Sequence, residues 1–185
     1  AARTAAIVRG LRNFSRLDND TLAAVDIHEG LDSTLLLLNH TLKDNIWVQK
    51  DYELQSMVEC QPGKLNQVFI NILHNAAQAV KAKSGSGGTL TIRTWGHKDR
   101  ACIGIRDTGI GMSEATRKRV FEPFFTTKNV GEGTGLGLSI AFGIIEAHKG
   151  EITVESAEGL GTEFVISLPL VQTEQPLLLA AVEAE

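Results

Sequence analysis

Cysteine is nearly absent from the 185-residue chain: Cys60 and Cys102 stand alone, with no CxxC pair. That excludes a disulfide framework and a zinc ribbon, and it fits a reducing compartment. No block of Lys or Arg interrupts the even mixture of signs, and the formal net charge is -4. A nucleic-acid binder is therefore not expected, and any anionic ligand has to be held locally. No apolar run reaches the roughly 18 residues of a membrane-spanning helix. The first residues, AARTAAIVRG, lack the apolar stretch of a signal peptide and read as the middle of a helix. The chain is thus expected to be a piece of something longer, cut inside an element. What remains, 43% hydrophobic and 22% charged residues, is the composition of a soluble globular protein of one domain plus a short appendage.

Taken in order, Thr4, Ile7, Leu11 and Phe14 recur at alternating three and four spacings, the seam of a bundle or coiled coil. A short strand near Ala24 to Ile27 follows. Asp26, with Glu29 three residues on, reads as an N-cap with a capping box. The next helix presents Leu31, Leu35, Leu38 and Leu42 on one face. Ile46 to Lys50 and Tyr52 to Val58 alternate as strands with a turn near Lys50 and Asp51. Pro62 stands at a helix first turn. From there Leu65, Val68, Phe69, Ile72, Leu73, Ala76 and Val80 keep the 3.6 period into the flexible KAKSGSGG loop.

Two antiparallel strands are expected at Thr89 to Trp95 and Ala101 to Asp107. A helix over Ile140 to His148 is closed by Gly150, and Glu151 to Ser156 pairs with Thr162 to Leu168 around a turn at Glu158 to Gly161. Strands clustered with helices, without strict βαβ alternation, indicate an α+β two-layer sandwich with helices on one face of the sheet.

Between Asp107 and Ser139 the chain packs Gly109, Gly111, Gly131, Gly133, Gly135 and Gly137 around FEPFFTTK. Glycine lets backbone approach a ligand, and a helix starting just after such a run aims free N–H groups at phosphate. On the long helix Asn71, His74, Asn75 and Gln78 form one polar stripe, at i, i+3, i+4 and i+7. Asparagine offers a carbonyl oxygen, a hard ligand suited to Mg²⁺. No lysine follows the glycines in Walker fashion, so the run is not a P-loop.

NILHNAAQAV, DTGIGM, FEPFFTTK, GEGTGLGLS and GLGTEF stand in an order that resembles the catalytic ATP-binding domain of bacterial sensor histidine kinases. That family shares its ATPase fold with gyrase, Hsp90 and MutL. The resemblance covers residues from about 25 to 169; each motif alone is weak, and five in order are specific. It implies a mixed, mostly antiparallel sheet and a division into residues 1–20, the end of a dimerisation hairpin, residues 21–170, the catalytic domain, and residues 171–185, a tail or linker.

By the same resemblance Asp107 would accept from the adenine amino group, Gly109 and Gly111 would let the base approach, and Thr162 would reach it through water. Asn75 would hold Mg²⁺, with Asn71 assisting at the phosphates and His74 beside it touching phosphate or metal-bound water. Lys128, beside Thr126 and Thr127, would neutralise phosphate from a lid anchored by Phe124 and Phe125. The N–H groups of Leu136, Gly137 and Leu138, after Gly133 and Gly135, would cradle the phosphates. The hydrolysing members carry a glutamate base four residues before the metal-binding asparagine. Asn71 stands there instead and cannot take a proton, so the γ-phosphate would be kept for an acceptor.

That acceptor histidine belongs on the first helix of the hairpin, of which IVRGLRNFSRLD resembles only the end of the second helix. His28-Glu29 imitates the acceptor pair but falls at a strand-to-helix junction; His40, His97 and His148 have no metal-ligand spacing. The resemblance implies Mg-ATP as ligand, a homodimeric parent, a response-regulator receiver domain as partner, and a cytoplasmic location for this part. Two other readings stay open: an ATP-hydrolysing switch of the gyrase or MutL type, and a nucleotide-binding interaction module.

Overall fold

The computed structural model describes residues 21–43, 45–83, 87–128 and 133–172. The expected helical seam of residues 3–17, the boundary at residue 20 and most of the C-terminal tail lie outside the described residues. The chain runs through β1 (Ala23–Val25), α1 (Ile27–Leu37), α2 (Asn39–Leu42), β2 (Ile46–Tyr52), β3 (Val58–Cys60) and α3 (Pro62–Ala82). It continues through β4 (Gly88–His97), β5 (Arg100–Asp107), α4 (Glu114–Arg119), α5 (Gly137–Ala147), β6 (Glu151–Ala157) and β7 (Gly161–Pro169).

Five strands form one sheet in the order β2-β4-β5-β7-β6; β2 runs parallel to β4 and every other pairing is antiparallel. β1 and β3 make a separate antiparallel pair. Strand alternation puts Leu90, Ile92, Ile103, Ile105 and Ile166 on one face of the sheet, all buried. Against that face α3 lays Val68, Phe69, Ile72, Leu73 and Ala76, with α1 and α5 packed beside it. Each of the four larger side chains, fully buried, contributes about 1.5–3 kcal/mol, which makes α3 the spine of the domain.

Local chemistry explains most helix ends. Asp26 caps α1 by accepting from His28 N–H at 2.9 Å; the second helical residue takes the bond rather than Glu29. Pro62 occupies the first turn of α3, where its missing N–H costs nothing. At the end of α5, Lys149 takes the left-handed conformation (φ 53) and Gly150 N–H closes onto Ile145 O at 2.9 Å. Gly150 is there for space: a Cβ would meet Leu168 Cδ2 at 2.7 Å.

Three local expectations change. The turn at Lys50 and Asp51 is absent: both residues lie within β2, paired with Ile92 and Arg93. Beyond it Leu54 and Val58 are buried, so the alternation of Tyr52 to Val58 records burial along an unpaired connection and only the short β3. The leucine-faced helix breaks at Leu38, whose ψ of 0° starts a second short helix. Helix α4 was not expected, although Ser113 caps it through Thr116 N–H and Arg117, Lys118 and Arg119 complement its C-terminal dipole.

Candidate nucleotide-binding site

Asp107 ends β5 opposite Leu90 on one side and Thr162 on the other, and only 3% of it is exposed. Its Oδ1 accepts from Gly109 N–H at 2.8 Å. Burial pushes its carboxyl above the usual range, while the N–H groups of Gly109 and Thr162 and the charge of Lys83 pull the other way. The result is an acceptor fixed at a strand end. Thr162 is buried beside it, its hydroxyl 2.9 Å from Ser156 Oγ.

The glycines of DTGIGM make close approaches, but to the protein's own main chain. A Cβ on Gly109 would lie 2.4 Å from the carbonyl carbon of Ala79 on α3. Gly111, at φ +65, would place one 1.9 Å from Ala157 O. Gly161 (φ +96) faces Asp107 O in the same way, at 2.0 Å. Their bare backbone thus seats the loop after β5 between α3 and the β6–β7 turn, which is what holds Asp107 in position.

Near the middle of α3, Asn71 Nδ2 donates to Gly137 O at 2.8 Å. This amide ties α3 to the start of α5, a different duty from the phosphate contact expected of it. Asn71 and Ala79 are eight residues apart, so the two glycine segments touch α3 about 12 Å apart at 1.5 Å rise per residue. His74, Asn75 and Gln78 lie between them. Lys128 Nζ reaches Asn75 Oδ1 at 3.4 Å and also donates to Gln78 Oε1. His74 is exposed, 3.5 Å from Gln78 Nε2, and its pKa is lowered by partial burial and then by the Lys128 charge.

Main chain also joins FEPFFTTK to the second glycine segment. Phe124 N–H donates to Gly135 O at 2.9 Å, and a Cβ on Gly135 (φ +66) would meet the Phe124 carbonyl carbon at 2.4 Å. Gly133 packs on Thr126 Oγ1 and Lys128 Cδ, each 3.1 Å from its would-be Cβ. Thr126 Oγ1 accepts from Lys128 N–H, and Thr127 lies exposed between them. Leu136 N–H is engaged by Thr134 Oγ1 at 3.3 Å, and Gly137 and Leu138 form the first turn of α5. The amides of that turn and the dipole behind them favour an anion.

The anchoring aromatic differs from the expectation. Phe124 is 74% exposed and holds φ 65, whereas Phe121 packs its ring on Phe142 and Phe164 at 5.3 and 6.2 Å. Phe125 stacks under the guanidinium of Arg119 at 4.4 Å. Sequence reasoning also missed Lys83, which it left in a flexible loop. Its ammonium donates to Thr108 O at 3.0 Å and Gly159 O at 2.9 Å, clamping the first glycine loop to the β6–β7 turn. Ser156 was missed too; it accepts from Met112 N–H and donates to Gly161 O. Nothing in composition marks either residue, since their partners are mostly main-chain atoms.

The histidines set aside, His28 as acceptor and His40, His97 and His148 as metal ligands, take structural or surface positions. His28 lies at the β1–α1 junction with Nδ1 2.9 Å from Asp26, Nε2 2.8 Å from Thr94 Oγ1 and its ring stacked on Tyr52. His40 and His97 are exposed. His148 is buried: Nδ1 donates to Ile144 O at 2.7 Å and Nε2 accepts from Gln61 N–H at 3.0 Å. Both cysteines are buried and free. Among the described residues no helix is long and apolar enough to cross a membrane, and no cluster of His, Cys, Asp and Glu could hold a metal.

Comparison with known proteins agrees with this geometry. Sporulation kinase E of Bacillus subtilis (strain 168) is 38% identical over 174 residues, covering 94% of this chain but 21% of the relative's length. The solved catalytic domain of histidine kinase ThkA superposes with a TM-score of 0.72 at 29% identity, covering 82% of this chain and 97% of that one. Full-length ShkA in complex with AMPPNP gives a TM-score of 0.72 at 26% identity, covering 92% of this chain and 36% of that one. The model of the histidine kinase-, DNA gyrase B- and HSP90-like ATPases matches residues 60–172, from the end of β3 past the end of β7. With its buried strand-end carboxylate and its two glycine segments set along one helix, the chain belongs to that ATPase family.

Proposed function

We propose that this chain is the ATP-binding catalytic part of a two-component sensor histidine kinase, transferring the γ-phosphate of Mg-ATP to a histidine of a dimerisation hairpin. The observation that carries it is the convergence on one helix, α3, of a buried carboxylate's loop and an anion-favouring helix start. Between them stands an amide oxygen already facing a cation. Asp107 would take the adenine amino group and Thr162 would assist through water. The first turn of α5, with Lys128, would take the phosphates.

Asn75 Oδ1 suits Mg²⁺, because the oxygen is turned toward a positive charge in this structure. The metal would supply charge neutralisation between phosphate oxygens. Asn71 stands where a hydrolase has its base, and its nitrogen is committed to Gly137 O, so nothing at that position can take a proton from water. This favours transfer over release. Residues 1–20 would complete the second hairpin helix, the parent would be a homodimer located at least in this part in the cytoplasm, and a receiver domain would take the phosphate onward.

Calorimetry with an ATP analogue and Mg²⁺ tests the reading, together with phosphate transfer to a supplied hairpin. Binding that Asp107→Asn weakens, and label appearing on hairpin histidine, are expected. Wild type that does not bind, or Asp107→Asn that binds as well, removes the claim.

A further inference from the structure

Two amide oxygens one turn apart on α3, those of Asn75 and Gln78, share a single ammonium, that of Lys128. A Mg²⁺ ion binds oxygen at about 2.0–2.1 Å, so on Asn75 Oδ1 it would displace or repel the ammonium. The oxygen therefore accommodates one cation at a time. Gln78 has no metal role in the proposed function, yet its Oε1 accepts from the same ammonium, and it lies farther from Gly137 than Asn75 does along the helix. Its carbonyl helps keep the long lysine side chain lying across the stripe.

We propose that Gln78 is a positioning residue: it holds the Lys128 ammonium on the metal-side oxygen of Asn75, where that charge stands in for Mg²⁺ toward nucleotide phosphate when the metal is scarce. The inference rests on the proposed nucleotide site and names a second, metal-free mode of using it. Loading with Mg²⁺ would hand Asn75 to the metal and free the ammonium for the outermost phosphate. Dependence on Gln78 should then be large without metal and small with it.

The test is calorimetric titration of the full chain with a non-hydrolysable ATP analogue, once in excess Mg²⁺ and once in a chelator, for wild type, Gln78→Leu, Lys128→Met and the double variant. Wild type is expected to bind in chelator, more weakly than with Mg²⁺. Gln78→Leu should lose at least about fivefold more affinity in chelator than in Mg²⁺, and it should add nothing once Lys128 is Met. Equal losses in both conditions, full additivity in the double variant, or no metal-free binding by wild type would each overturn the inference. If Gln78→Leu does not fold, Gln78→Met, which keeps the length of the side chain and removes the carbonyl, carries the same comparison of the two conditions. Wild type that binds in neither condition sinks the nucleotide site itself, whereas wild type that binds Mg-analogue while Gln78→Leu ignores the metal sinks only this step.

Discussion

The side-chain amide of Asn71 donates to the main-chain carbonyl of Gly137 at 2.8 Å, so the long helix and the glycine helix share a polar tie at the start of α5. Asn71→Asp keeps the shape and removes the donor, setting a carboxylate against a carbonyl. A stability loss of about 1–3 kcal/mol in urea unfolding is expected, with weaker Mg-ATP binding. Steady phosphate release by wild type that collapses in Asn71→Ala would instead point to a hydrolysing switch.

Asp107 titrates with a raised pKa, chiefly from burial. The folded chain therefore holds that proton at higher pH than the unfolded chain does. The group's contribution to stability is present below the unfolded pKa and lost as pH rises through the folded one. The proposed adenine contact would run the opposite way, because it would use the ionised form. Titrated from about pH 7 to about pH 4, wild type should lose nucleotide affinity while gaining stability relative to Asp107→Asn. The variant should bind weakly with no slope from this group, and parallel profiles would contradict the assignment.

Gly159 and Gly161 both hold positive φ in the β6–β7 turn, at +77 and +96, but they differ in surroundings. Nothing lies within 4 Å of a Cβ on Gly159, whereas one on Gly161 would sit 2.0 Å from Asp107 O. Gly159→Ala should cost only the conformational term, about 1–2 kcal/mol. Gly161→Ala should cost clearly more and weaken nucleotide binding as well, since it pushes on the strand end that carries the carboxylate. Thermal unfolding of the pair, side by side, decides it.

His148 links the end of α5 to the entry of α3 through Ile144 O and Gln61 N–H. His148→Leu fills the space and removes both bonds. A loss of about 1–3 kcal/mol in urea unfolding is expected, with nucleotide affinity retained because the residue lies away from the site. An unchanged midpoint would show that these bonds contribute little.

How much of this could be read from residues alone varied with the physics of each element. Helix α3 was legible because its period is sustained over many turns and Pro62 marks its start. The β4–β5 and β6–β7 hairpins were legible because a turn lies between partners. The parallel pairing of β2 with β4 was not, since its partners are joined through β3 and α3 and no turn announces it. In the site, residue types that chemistry requires, such as Asp107 and Asn75, stood out in their motifs. Asn71's tie to Gly137, the clamp of Lys83 and the inward ring of Phe121 in place of Phe124 were hidden. Each depends on which way a side chain turns, and pattern does not encode that.

Three of the approaches that seat the loops, Gly109 on Ala79, Gly135 on Phe124 and Gly161 on Asp107, bring peptide units against peptide units. Main chain has the same outline whatever side chains it bears. The mould around the ligand is therefore insulated from substitution nearly everywhere except at those few bare positions, while side chains on the outer surfaces are at liberty to change the company the domain keeps.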